Sequence, residues 1–349
     1  MEVSSLEAPP AVLRLDHPAK VGEVRRLAVS MAVRLGLDEQ DQGRLAIVVT
    51  EAANNAVQHG GGGEIVLRPI LNSARGVEAL IVDKGSGISN LERALRDGYS
   101  TAGTPGTGLG AVARLSDRFD IYSAVDSGTA VLTEVWSGGS RGEHGPAGDR
   151  LETGVVCVPK AGERECGDAW AIRYAGDRIL LTVADGLGHG PDAAQASTQA
   201  ISLFQRSRMI GPADLLAEMH GALRSTRGAA VAVASLNPAT REILYAGVGN
   251  IAATIVTGEA TRSMVSHNGT VGHEVRKIQE FQYPWPAEAL VVMQSDGLQT
   301  HWRLDRYPGL MARSPSLIAA TLYRDFTRGR DDVTVLAVRE MTSRSETPA

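Results

Sequence analysis

Cysteine is scarce in this chain, with only Cys157 and Cys166 among 349 residues. That scarcity excludes a disulfide framework, and with no His pair nearby it excludes a zinc site as well; one buried small residue and one loop thiol are expected. Long apolar runs are also missing, since no stretch approaches the roughly 18 residues that a membrane-spanning helix needs. The opening residues, MEVSSLEAPPAVLRLD, lack the basic start and apolar stretch of a secretory leader. A cytoplasmic location with no membrane partner is expected. Positive charge is not in excess either, because the net charge is -5, so nothing electrostatic calls for nucleic acid. No internal repeat is present. What remains is an ordinary globular composition, 43% hydrophobic and 21% charged, long enough for two cores of common domain size.

The segment SGGSRGEHGPAGDR, residues 137–150, is rich in Gly, Ser, Pro and charge and keeps no apolar periodicity, as a solvated linker would. Before it, Val21, Val24, Leu27, Met31 and Leu35 recur at helical spacing, and a second helix is predicted from Asp38 to Gln58. Strands are predicted at 64–71 and 77–83, a helix at 108–117, and strands at 119–124 and 129–136. After the linker strands dominate, at 153–158, 169–174, 178–184, 229–236, 242–247, 251–256, 289–294 and 333–338, with helices at 191–209, 212–225 and 315–327. The expected division is a first domain over 1–136, a linker over 137–150, a second domain over 151–340 and a tail over 341–349. Each half carries its own helices and strands, so the two are expected to fold independently.

Three motifs in the first half suit nucleotide chemistry. In TEAANNAVQHG, Glu51 and Asn55 are four apart and share a helix face, where a carboxylate can take a proton beside an amide oxygen that ligates magnesium. In DKGSG, Asp83 ends a strand and can accept a hydrogen bond from an adenine amino group, while Gly85 and Gly87 let backbone approach the base. GTGLG precedes an apolar helix, and its amides can cradle phosphates. Taken singly, each is equally a solvated helix face, a strand-to-loop turn or a flexible loop.

Together and in this order, closed by SGTAV at 127–131, these motifs resemble the GHKL nucleotide-binding fold of histidine kinases and anti-sigma-factor serine kinases. The resemblance covers residues 11–136. The short stretch ISNLERALRDGYSTAGTP before the glycine loop resembles the RsbT and RsbW type of serine kinase. The resemblance implies a Bergerat-type α/β sandwich binding ATP and magnesium. Asn55 would bind magnesium, Glu51 would activate a substrate serine or an attacking water, and Asp83 with Gly85 and Gly87 would read adenine. Gly106, Thr107, Gly108, Leu109 and Gly110 would enclose the phosphates, with Thr129 near the adenine. Asn54 receives no role, and His59 is open between capping its helix and touching ligand.

The second half places aspartates at the ends of apolar runs: Asp168 in CGDAW, Asp185 in VADGLGHG, Asp296 in MQSDG, and Asp331 and Asp332 in RDDVTVLAV. Such carboxylates can converge on hard divalent cations, which acidify water and neutralise phosphate oxygens. Any one of these dipeptides alone reads as a turn after a strand. In this order, with AGVGNIAAT at 246–254 and NGTVG at 268–272 between them, they resemble the SpoIIE type of metal-dependent serine/threonine phosphatase, the PPM family that includes RsbX. The resemblance covers 151–340 and implies an αββα sandwich using magnesium or manganese. Asp185 would bridge two metals and the Gly186 carbonyl would add a ligand. Asp296 and Asp331 would complete one metal, and Asp168 would act on the second directly or through water. The family's final motif favours Asp331 over Asp332, and His189 is open between substrate and a structural hydrogen bond. Few basic residues stand near these motifs; Lys160 and Arg164 are the candidates for gripping a phosphoprotein.

The expectation is therefore a two-domain α/β protein, a GHKL serine kinase-like domain followed by a SpoIIE-like phosphatase, acting as a partner-switching regulator. The resemblance implies STAS-domain regulators or stressosome-type proteins as substrates, with a sigma factor or a downstream phosphatase as further partners. Two other readings stay open: a phosphatase with a non-catalytic ATP-sensing or docking domain, and a non-enzymatic protein that sequesters or activates a partner.

Overall fold

A computed structural model describes residues 2–4, 10–71, 75–96, 108–139 and 151–341. The chain opens with β1 (Glu2–Ser4) and β2 (Ala11–Arg14), followed by α1 (Ala19–Leu35) and α2 (Glu39–Gln58). β3 (Glu64–Leu71), β4 (Arg75–Asp83), α3 (Leu91–Leu95), α4 (Gly108–Leu115), β5 (Arg118–Ser123) and β6 (Thr129–Trp136) complete the first half. The second half runs through β7 (Leu151–Val158), β8 (Asp168–Ala175), β9 (Arg178–Gly186), α5 (Pro191–Arg206) and α6 (Pro212–Ala222). It continues with β10 (Ala229–Asn237), β11 (Glu242–Val248), β12 (Ala252–Val256), β13 (Thr261–Met264) and β14 (Phe281–Pro284). β15 (Leu290–Gln294), α7 (Pro315–Phe326) and β16 (Val333–Glu340) close it. None of the described helices is long and apolar enough to cross a membrane.

Two compact units form, but they do not divide the chain into two contiguous stretches. One comprises Glu7–His144 with Trp302–Thr327, the other Met1–Leu6, Gly145–His301 and Arg328–Ala349. This grouping differs from the expected division at 136 and 151 in two places: the first strand and α7 each group with the opposite half. Of the expected linker, Ser137–Gly139 form a short 3-10 turn; its remaining residues, and the tail beyond 341, lie outside the described residues.

In the first unit, α1 stops at Gly36, which takes a left-handed φ of 78° and caps the helix through its N–H. Asp38 then starts α2 by accepting from the Asp41 N–H at 2.8 Å. Leu45, Val48, Val49, Ala52, Ala53 and Ala56 give α2 one continuous buried face. That face and α1 cover one side of an antiparallel sheet of order β2-β3-β4-β6-β5, meeting Ile65, Leu67, Val77, Ala79, Ile81 and Val131.

Because strand side chains alternate, the residues between these point to the other face. That face is unusually charged for buried surface, carrying Glu64, Arg68, Glu78, Arg118, Asp120 and Glu134. α7 and the turn before it lie on it, against β4, β5 and β6. The contacts are polar: Ser316 Oγ donates to Glu78 Oε2 (3.3 Å), Tyr323 OH to Glu64 Oε2 (2.7 Å), and Arg313 Nη1 to Asp120 Oδ1 (3.2 Å). Arg324, only 4% exposed, is bidentate to Asp325 and reaches the Asp83 carbonyl oxygen at 3.3 Å. Partners from residues 313–324 thus share the work of satisfying these groups with the sheet's own ion pairs, Arg68–Glu78 and Arg118–Glu134. This is why the segment groups with the first unit.

The second unit is a pair of antiparallel sheets, ordered β1-β8-β9-β10-β11-β14 and β13-β12-β15-β16-β7. Their facing sides interdigitate in one core through Cys157, Trp170, Ile172, Leu181, Val183, Met293 and Leu336. The Cys157 and Cys166 sulfurs stand 3.8 Å apart as free thiols, closer than one buried residue and a separate loop thiol would suggest. α5 and α6 cover the outer face of the six-stranded sheet through Ala200, Phe204, Leu215, Leu216 and Met219.

Candidate functional sites

In the first unit the helix α2, the end of β4 and the start of α4 bring the expected nucleotide residues to one end of the sheet. Glu51 and Asn55 share a face of α2, and Gly108, the first residue of α4, lies directly over it. A Cβ at Gly108 would sit 3.2 Å from Glu51 Oε2 and 3.4 Å from Asn55 Oδ1. Leu109 is half-buried and Gly110 buried in the same first turn. Gly106 and Thr107 lie outside the described residues.

Asp83 ends β4 opposite Thr129 in register. Its Oδ1 accepts the Gly85 N–H at 2.9 Å and the Thr129 N–H at 3.2 Å, which fixes the carboxyl and leaves Oδ2 for a ligand. Burial pushes the Asp83 carboxyl above the usual carboxylate range, so it is poised to pair with a neutral donor or carry a proton. Gly87 turns the chain with a φ of 70°, and a Cβ there would lie 2.0 Å from the Ala124 carbonyl oxygen. Thr129 Oγ1 is 2.9 Å from Ser123 Oγ, which accepts the Ile88 N–H. His59 caps α2 through its backbone, its N–H bonding the Asn55 carbonyl. Ser123 and Gly60 were not singled out in the sequence; a Cβ at Gly60 would lie 2.6 Å from Asp83 Cβ, and the glycine run after His59 was its signal.

In the second unit five aspartates gather where strands of both sheets end. Asp168 and Asp185 are direct register partners on β8 and β9. Asp185, Asp296 and Asp331 line an open cleft of about 210 Å³ together with Lys160, Leu187, His189, Asn250 and Arg330. Asp168 and Asp332 lie behind them, each 3% exposed. The two neighbours left open in the sequence thus separate: Asp331 faces the cleft, while Asp332 Oδ1 accepts the Lys160 N–H at 2.9 Å.

The wiring is specific. Ser295 Oγ donates to Asp168 Oδ2 at 2.6 Å and accepts the Thr334 N–H at 2.9 Å, tying β15, β16 and β8 together. Asn250 Nδ2 donates to Asp296 Oδ2 at 2.7 Å, and His189 Nδ1 lies 2.8 Å from Glu163 Oε1. The glycine of SDG is dictated by contact, since a Cβ at Gly297 would lie 1.9 Å from the Asp332 carbonyl oxygen. Ser295, Asn250 and Arg330 were passed over in the sequence although each sits inside a quoted motif. Arg164 is absent from the cleft wall, whereas Lys160 is on it.

The electrostatics are those of crowded, desolvated carboxylates. Burial, then Asp168, Asp296, Asp331 and Asp332, pushes Asp185 up to about 9. Burial, with Asp332 adding, pushes Asp168 to about 7, and burial also raises Asp332. Asp168 Oδ1 and Asp332 Oδ2 are buried without a hydrogen-bond partner, which is costly unless something positive pairs with them. Among the described residues no three His, Cys, Asp or Glu side chains close around a single point. The all-oxygen donor set and the orphaned oxygens fit a hard divalent cation.

Comparison with known proteins agrees with this geometry. The chain matches the family described as "Histidine kinase-like ATPase domain" over residues 16–134 and "Stage II sporulation protein E (SpoIIE)" over residues 175–340. It is 32% identical over 113 residues to serine/threonine-protein kinase RsbT of Bacillus subtilis (strain 168), covering 32% of this chain and 85% of RsbT. It is 26% identical over 103 residues to phosphoserine phosphatase RsbX of the same organism, covering 30% of this chain and 52% of RsbX, about half its length. A solved structure described as "The bacterial stressosome: a modular system that has been adapted to control secondary messenger signaling" superposes with a TM-score of 0.51 at 28% identity, covering 55% of this chain and 100% of that one.

Proposed function

This chain belongs to the RsbT family of histidine kinase-like ATPases and continues into a SpoIIE domain, and from that premise we propose that it is a partner-switching regulator whose second unit hydrolyses phosphoserine or phosphothreonine on a regulatory protein. The observation that carries the reading is the carboxylate cluster lining the cleft, with its two orphaned oxygens behind it. Asp185, Asp296 and Asp331 would hold divalent cations at the cleft, with the Gly186 carbonyl as a further ligand and Asp168 behind them. When bound there, magnesium or manganese supplies charge neutralisation and a more acidic water. Asn250 orients the Asp296 carboxylate and Ser295 fixes Asp168, so both carboxylates would be presented to a cation in a set orientation.

In the first unit Asp83 would accept the adenine amino group through Oδ2, and Asn55 would hold magnesium. Glu51 would take the proton of a substrate hydroxyl, and the glycine-rich segment 106–110 would enclose the phosphates. STAS-domain regulators are the substrate class we assign to both units. The test is the full chain with labelled ATP and a panel of STAS proteins, then with their phosphorylated forms and manganese. Transfer to a STAS serine or threonine and its metal-dependent removal are expected; removal of phosphate from none of them would overturn the reading.

A second reading, in which the first unit senses ATP without transferring phosphate, is favoured by one contact. Arg324 bonds the Asp83 carbonyl oxygen from a segment whose sequence neighbours are Asp296 and Asp331. ATP that binds the full chain, changes its phosphatase rate and is transferred to no STAS protein would select it.

A further inference from the structure

Two cations share the cleft wall with the aspartates. Lys160 and Arg330 line it alongside Asp185, Asp296 and Asp331, and among the described residues neither side chain forms an ion pair or hydrogen bond. That is unusual beside so many carboxylates. Arg330 is the immediate neighbour of Asp331, yet its guanidinium is not spent on it. Lys160 is held in place by its backbone, whose N–H is bonded to Asp332 Oδ1 at 2.9 Å, so its ammonium remains free while its position is fixed.

The charge of the site explains what they are for. Five carboxylates, Asp168, Asp185, Asp296, Asp331 and Asp332, carry more negative charge when ionised than two divalent cations cancel. A phosphate monoester dianion approaching that cleft would still meet a negative field. Two uncommitted cations on the wall reverse its sign at the point of entry. Their chemistry differs: the guanidinium fork matches two phosphoryl oxygens at once, whereas an ammonium is a point charge.

We propose that Arg330, assisted by Lys160, is the phosphoryl-gripping subsite of the second unit. Arg330 takes two non-bridging oxygens of the phosphomonoester, and Lys160 draws the dianion in. This rests on the phosphatase reading, and it gives the cleft a specificity for dianionic phosphomonoesters over the carboxylates and neutral side chains of an unmodified partner.

The test uses the full chain saturated with manganese, with p-nitrophenyl phosphate as substrate and inorganic phosphate as competing ligand. Arg330→Ala should raise KM and the inhibition constant of inorganic phosphate together, each about tenfold, while kcat changes less than about threefold. Arg330→Lys should recover part of both. Lys160→Ala should raise KM by about threefold and flatten its dependence on ionic strength. Manganese affinity measured by calorimetry should be unchanged in all three variants. An unaltered phosphate inhibition constant in Arg330→Ala overturns the proposal. So does a weakened manganese affinity, since Arg330 would then be propping Asp331 rather than holding phosphate. If the wild-type chain hydrolyses no phosphomonoester at all, the phosphatase reading fails; calorimetric binding of inorganic phosphate to wild type and Arg330→Ala still decides the subsite.

Discussion

At the scale of single residues, the two units ask different things of their carboxylates. Asp185 sits at the meeting point of burial and four like charges, so it is the residue whose loss should be felt most. Asp185→Asn is expected to lower manganese-dependent hydrolysis by at least about a hundredfold, with manganese affinity by calorimetry falling alongside; undiminished turnover by the folded variant would contradict the assignment. The same crowding makes a pH prediction. Asp168 near 7 and Asp185 near 9 both lie above their ordinary value of 3.8, so the metal-free fold keeps protons that the unfolded chain releases. Their contribution to stability is full below that ordinary value and is lost as pH rises through about 7 and then about 9. Cations displace those protons. The rise in melting temperature produced by manganese should therefore be larger at about pH 8.5 than at about pH 6, and Asp185→Asn should flatten that difference. In the first unit, Glu51→Ala should keep ATP binding and lose phosphoryl transfer, whereas Asn55→Ala should weaken magnesium-dependent ATP binding itself. Filter binding and labelled-phosphate transfer separate the two; transfer at the wild-type rate by both variants would leave these side chains as helix surface.

At the scale of elements, α7 carries the most instructive burden, because it caps a charged sheet face through hydrogen bonds rather than apolar packing alone. Arg324→Ala would leave the Asp83 carbonyl oxygen and part of Asp325 without a partner, a loss of about 2–4 kcal/mol, read as a lower denaturation midpoint with unchanged manganese affinity. Most elements were legible because their periodicity was strong: the stripe from Val21 to Leu35, the alternating strands, and the capping Asp38. The short edge strands β1, β2, β13 and β14 were not, since four or fewer apolar-alternating residues look like loop. Within the sites, residues that end a strand in a Gly-containing motif were readable, because the contact that forbids a side chain, as at Gly297, leaves its mark in sequence. Ser295, Asn250 and Arg330 were not readable, because what they do depends on partners such as Asp168 and Asp296 that are far away along the chain. The docking of α7 was hidden for the same reason: Ser316 and Tyr323 are unremarkable until Glu78 and Glu64 lie beneath them.

At the scale of the molecule, the Gly-rich stretch at 137–150 looks like the natural place to cut, and the grouping of Trp302–Thr327 with the first unit says otherwise. A fragment ending near residue 138 would lack Tyr323, Ser316 and Arg313, which bond Glu64, Glu78 and Asp120 on its second sheet face. It is expected to bind a hydrophobic dye or aggregate when produced alone, and to be rescued when residues 302–327 are appended through a flexible linker; a monomeric, cooperatively melting fragment without them would show that α7 is dispensable. A protease nick in the linker of the native protein should likewise yield two polypeptides that co-elute, because a piece of the second still completes the first. The consequence reaches beyond the test tube. Two genes that fused end to end can in principle separate again by a single break, but once one product borrows a helix from the middle of the other, that route back is closed. Each later substitution on α7 is then judged by the sheet it covers, although it is written between residues of the other unit, so the two units are inherited, and lost, as one chain.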